Sequence, residues 1–185
     1  MNWVAPIKDE KTLKLFGETL KNVDYKYYIM FELGVGTGLQ LQDILAFKNK
    51  DVTDKKEITV EIGTKNIKNT FTIPDDLQKI INDYTKGKDP EAYLILGHST
   101  ANKPVSREQA YRVLRAAGHK IGLSSIGAQT MRKTFAWKYY KETGDIYLVA
   151  DVLGHKDVNT TKKHYAAIEE ERRKIAARVT KLRED

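Results

Sequence analysis

Regular alternation of apolar and polar side chains marks one place in this sequence, where EITVEIG and NTFTIP lie on either side of TKNIKN. Successive side chains of a strand point to opposite faces, so such a pair predicts an antiparallel hairpin with one apolar face. The segments around it carry the helical period instead. From Asp9 to about Lys21, Leu13, Leu15, Phe16 and Leu20 recur at helical spacing behind an acidic start, and Tyr25 to Leu33 forms a second helix that the glycines at 34, 36 and 38 end. Leu39, Leu41, Ile44, Leu45 and Phe47 mark a short third helix. After Pro74 come Leu77, Ile80, Ile81 and Tyr84, and then SREQAYRVLRAAGHKIG, with Ser106 as N-cap and Glu108 in the first turn. In QTMRKTFAWKYY, Met131, Phe135 and Tyr139 fall on one helical face. A further helix ends at Gly154, and a new turn capped by Asn159 or Thr160 leads to Tyr165. A lone hairpin among helices reads as an α+β fold, mostly helical with a small antiparallel β-hairpin or sheet, and residues 1–185 read as a single domain.

Composition narrows the chemistry. The absence of cysteine removes disulfides, thiolate nucleophiles and cysteine-based zinc sites together, and it fits a reducing, cytoplasmic setting. His98, His119, His155 and His164 show no metal-ligand spacing, so no metal or other cofactor is expected. No apolar run approaches the roughly 18 residues of a membrane span. The 32 Lys and Arg against 25 Asp and Glu leave a formal charge of +7, which points to a polyanionic partner, nucleic acid first.

Three segments hold unusual polar groups: Arg132 and Lys133 beside the apolar stripe of QTMRKTFAWKYY, His155 and Tyr165 in DVLGHKDVNTTKKHYAAI, and Lys65 and Lys68 in EIGTKNIKNTF. Taken singly they read as a solvated basic turn, a helical corner with a half-buried tyrosine, and a solubilising hairpin tip. Taken in order they resemble the catalytic domain of the tyrosine recombinases, the phage and transposon integrase family. TGLQLQDIL is similar to that family's TGLRxxEL block, QTMRKTFA to its HxLRHTFA block, and VLGHKDVNTTKKHY to its LGHxxxxTTxxxY block. The resemblance covers residues from about 9 to about 170 and implies the DNA breaking–rejoining fold.

It also implies a phosphoryl transfer on DNA without metal or nucleotide. Matched by position, Tyr165 attacks a backbone phosphate and stores the diester energy as a 3′-phosphotyrosyl link. Lys65 donates a proton to the departing 5′-oxygen, ahead of Lys68, while Arg132 and His155 hold nonbridging oxygens as charge builds on them. Arginine suits that task because its planar fork makes two parallel charge-assisted bonds and keeps its proton. Asp43 matches the family's supporting acidic position, and Gly154 lets the chain turn so that His155 points inward.

Two positions depart from the pattern. Gln40 stands where the family has its first arginine, and Gln129 where it has histidine or lysine. An amide at 129 still donates a hydrogen bond. At 40 it cannot replace a bidentate cation against a doubly negative transition state, so strand cleavage is expected to be weak or absent unless Lys133, Lys162 or Lys163 fills the gap. Only a few residues precede the first helix, so no N-terminal core-binding domain is expected, and the chain is expected to be either a one-domain variant or a fragment. Arg107, Arg112, Arg115 and Lys120 share one helix and are candidates, with Lys68 and Lys133, to line double-stranded DNA. The tail from about 167 to 185 carries Ile168, Ile175, Val179 and Leu182, and the resemblance implies that it docks on a neighbouring subunit during self-association on DNA. The competing expectations are a site-specific recombinase, a catalytically degenerate recombinase-like DNA-binding regulator, and a helical interaction protein whose basic charge is incidental.

Overall fold

The computed structural model describes residues 4–62, 67–98, 101–165, 168, 170, 173 and 174. The chain divides into two compact units, 1–135 and 136–185. The first begins with α1 (Glu10–Val23), whose N-cap Asp9 accepts hydrogen bonds from Thr12 N at 2.8 Å and Thr12 Oγ1 at 2.7 Å. That bond satisfies one of the amides a helix start leaves unpaired. Leu13, Phe16 and Leu20 enter the core, whereas Leu15, from the same apolar run, is 53% exposed. Residues i, i+3 and i+7 share a helix face, and i+2 lies away from it.

Next comes α2 (Tyr25–Thr37), capped by Asp24 and buried on nearly every side, with Ile29, Met30, Phe31 and Leu33 inaccessible to solvent or almost so. The Phe31 ring meets that of Phe16 edge to face, centroids 5.0 Å apart. The sequence ends this helix at glycines 34, 36 and 38, but the structure carries it through the first two. Gly34 and Gly36 are there for close packing: a Cβ on Gly34 would lie 2.7 Å from Met131 Cβ, and one on Gly36 2.8 Å from a Leu77 methyl. Gly38 alone stops the helix, in the left-handed region at φ 74°, its N–H bonded to Gly34 O.

Gln40 follows as N-cap of α3 (Leu41–Ala46). A four-residue helix that the sequence does not signal, α4 (Asn49–Val52), leads to the hairpin of β1 (Glu57–Ile62) and β2 (Ile67–Thr72). Its register pairs Glu57 with Thr72, Thr59 with Thr70 and Glu61 with Lys68. Ile58, Val60 and Phe71 are buried while the intervening Glu57, Thr59, Lys68 and Thr70 are exposed, as the alternation requires. Beyond it lie α5 (Asp75–Thr85) and α6 (Arg107–Lys120), the latter capped by Ser106, whose hydroxyl accepts from Gln109 N at 3.1 Å.

The helix α7 (Ala128–Thr143) starts in the first unit and runs on into the second. The second unit adds α8 (Ile146–Val152) and α9 (Val158–His164), with Tyr140, Ile146, Val149, Leu153 and Ile168 buried. Asp157 caps α9 by accepting from Asn159 N at 2.9 Å, in place of the expected Asn159 or Thr160. A carboxylate satisfies the orphan amide and meets the positive end of the helix dipole as well, an advantage neither neutral side chain has. Among the described residues no helix is long and apolar enough to cross a membrane.

Candidate active site

In the first unit, consecutive residues of α7 fix separate stretches of backbone. Arg132, 6% exposed, donates through Nη1 to the carbonyl of Gly38. Lys133 donates through Nζ to Val4 O at 2.9 Å, and Thr134 Oγ1 accepts from Ile7 N at 2.9 Å. The next residue, Phe135, lays its ring against Gly38, where a Cβ would collide with it. A solvated basic turn is therefore not what forms here. Burial pushes the Lys133 ammonium pKa down from its ordinary value.

Arg132 is thus tied to the turn that carries Gln40. Gln40 is half-buried, extended at φ −75° and ψ 148°, and it caps α3 with its backbone only: Asp43 N and Ile44 N bond to its carbonyl at 3.0 and 3.1 Å. The amide side chain makes no cap bond. Half-buried Asp43 has its carboxyl pushed up by burial, while a backbone hydrogen bond from Gln40 and the Arg132 charge pull the other way. Gln129 is exposed at the second position of α7.

The second unit gathers His155 and Tyr165. The chain leaves α8, turns at Gly154 with φ 69°, and His155 N bonds back to Ala150 O at 2.9 Å. Its Nδ1 lies 2.8 Å from Oγ1 of Thr161, which is wholly buried. Tyr165, directly after α9, is 6% exposed, its N–H bonded to Thr161 O at 2.9 Å and its ring centroid 5.7 Å from that of His155. The tyrosine is more deeply buried than the half-buried corner residue of the sequence reading, because the short α9 turns it inward.

The other candidates lie apart. Arg107, Arg112, Arg115 and Lys120 are all exposed on α6, with the Arg115 guanidinium 5.7 Å from the Tyr111 ring centroid. Lys68 is exposed on β2 opposite Glu61. Lys65 lies outside the described residues, as do Ile175, Val179 and Leu182 of the tail. Thr161 is the site residue that the sequence reading leaves out, although it stands in the matched TT block.

A family model described as the phage integrase family matches residues 8–172. The chain is also 33% identical over 179 residues to "Probable integrase/recombinase YoeC" of Bacillus subtilis (strain 168), covering 97% of this chain and 98% of that protein. The chain belongs to the phage integrase family. Gln40, Asp43, Gln129, Arg132, His155, Thr161 and Tyr165 all fall within the phage integrase match. The fold is likewise that of known members. A crystal structure of XerA recombinase superposes with a TM-score of 0.71 at 21% identity, over 90% of this chain and 62% of that one. A lambda integrase dimer bound to a COC′ core site gives 0.68 at 18% identity, over 89% and 48%. The chain spans nearly all of YoeC but about half the length of the curated tyrosine recombinases that it also matches.

Proposed function

We propose that this chain binds duplex DNA and transfers DNA strands through a 3′-phosphotyrosyl intermediate on Tyr165, slowly because Gln40 occupies a position of positive charge. The observation that carries the reading is the His155–Tyr165 pair, brought ring to ring by the Gly154 turn and α9. Oη of Tyr165 forms a bond to phosphorus and releases its proton to water as the bond to the 5′-oxygen breaks, and Lys65 protonates that leaving oxygen. Arg132 and His155 neutralise the nonbridging oxygens. A phenol with a reference pKa near 10 is a weak nucleophile at neutral pH, so the cations around the phosphate carry much of the rate.

Pre-positioning supports the role of Arg132. Its bond to Gly38 O and its burial hold the guanidinium in one place, so little rotamer freedom remains to be lost when a phosphate arrives. Lys133, bonded to Val4 O, supports the same turn of α7 and is a poor candidate to make up the charge missing at Gln40. A second reading, a DNA-binding regulator that does not cut, is favoured by one observation: amides stand at both Gln40 and Gln129.

Duplex binding is expected to weaken steeply with salt, the log–log slope changing by about 0.9 for each phosphate contact. Fluorescence anisotropy between low and physiological salt measures it. Tyr165→Phe is expected to leave that affinity within about twofold of wild type, since loss of one hydroxyl removes no charge. Salt-independent or absent binding points instead to incidental basic charge.

A further inference from the structure

We propose that Thr161 is a positioning residue for the strand-transfer reaction, holding the His155 imidazole by Nδ1 so that Nε2 is the atom presented to the phosphate. The proposal rests on the phosphoryl-transfer reading for its purpose, but its geometry stands independently. A helix threonine commonly turns its hydroxyl back to the carbonyl four residues earlier. In this protein Thr19, Thr37, Thr85, Thr134 and Thr143 all do so, bonding to the carbonyls of Leu15, Leu33, Ile81, Thr130 and Tyr139. Thr161 departs from that pattern. Its hydroxyl, wholly shielded from solvent, lies 2.8 Å from His155 Nδ1.

The same residue reaches Tyr165 by its backbone, since Thr161 O accepts the Tyr165 N–H at 2.9 Å. One buried threonine thus bonds to both functional residues of the unit, through its hydroxyl and its carbonyl. The His155 backbone is anchored to Ala150 O, and the bond at Nδ1 restricts the torsions of the imidazole. A hydroxyl suits this task because it can either donate or accept. It donates to a bare Nδ1 when the ring is neutral and accepts from Nδ1–H when the ring is protonated, so the orientation survives a change of charge on His155. Valine has the same shape without the hydroxyl and would leave Nδ1 facing a methyl group. Serine keeps the oxygen.

The test uses full-length Thr161→Val and Thr161→Ser proteins labelled with nitrogen-15 in histidine, the His155 signals being assigned with a His155→Gln control. Thr161→Val is expected to move the His155 imidazole nitrogen signals, and to slow covalent capture of a nicked suicide DNA duplex by about tenfold, the usual worth of one hydrogen bond. Thr161→Ser is expected to match wild type in both, and duplex affinity should stay within about twofold in both Thr161 variants. If valine destabilises the fold, Thr161→Ala, which retains helix propensity, serves the same comparison. Unchanged His155 nitrogen signals in Thr161→Val overturn the proposal, as does a serine variant that resembles valine. If neither wild type nor Gln40→Arg forms a covalent adduct, the strand-transfer reading falls while the nitrogen signals still decide whether Thr161 holds the ring.

Discussion

Replacing Gln40 with arginine is expected to raise the rate of strand cleavage about a hundred- to a thousandfold, the range that one preorganised donor contributes in a transition state. The residue caps α3 through its backbone and makes no side-chain cap bond, so the exchange leaves the helix start unaltered. Its turn is already tied to Arg132 through Gly38, and Asp43 supplies a carboxylate within the same stretch to balance a second cation. A new guanidinium there would add two parallel donors and a full charge where an amide has only neutral donors. The comparison is the rate of covalent capture on a suicide duplex by wild type and Gln40→Arg. A folded, DNA-binding Gln40→Arg protein that cleaves no faster than wild type would remove Gln40 as the limiting residue.

Gly38→Ala is expected to cost about 2 to 5 kcal/mol of stability, combining left-handed strain with overpacking against Phe135. Gly122 supplies the control. It has a similar φ of 80°, but no atom lies within 4 Å of where a Cβ would stand, so Gly122→Ala should cost only about 1 to 2 kcal/mol. Urea denaturation of the two variants separates strain from packing. The larger loss at Gly38 should bring a weakened phosphate grip as well, because the carbonyl that steadies Arg132 belongs to the displaced residue. Equal costs at the two glycines would mean that Phe135 yields freely and that the turn is held elsewhere.

The contrast between these glycines also shows what was legible in the sequence. Local signals were readable: the alternation that builds the hairpin, the Ser106 cap, and the glycine turn before His155 all depend on near neighbours along the chain. Gly34 and Gly36 read as helix breakers from sequence because their partners, Met131 and Leu77, are distant along the chain, and a glycine kept for close packing looks the same as one that breaks a helix. The sequence offers Asn159 or Thr160 as the cap that Asp157 provides, because the DVNTT stretch holds several capping residues in succession and only backbone geometry chooses among them. Arg132 and Lys133 read singly as solvated charge, and only the resemblance to a family singled out the arginine. Their burial follows from bonds to Gly38 and to the N-terminal segment, which no periodicity records. Thr161 carries no periodic signal for the same reason: its partner is a histidine six residues earlier, off the helix that carries it.

The central claim is that Tyr165 is a nucleophile toward DNA. Wild-type protein incubated with a nicked suicide duplex, digested and analysed by mass spectrometry should yield a DNA-linked peptide containing Tyr165. It should accumulate slowly in wild type, faster in Gln40→Arg, and not at all in Tyr165→Phe. An adduct on a different residue, or none in either wild type or Gln40→Arg under conditions where both bind the duplex, would contradict it.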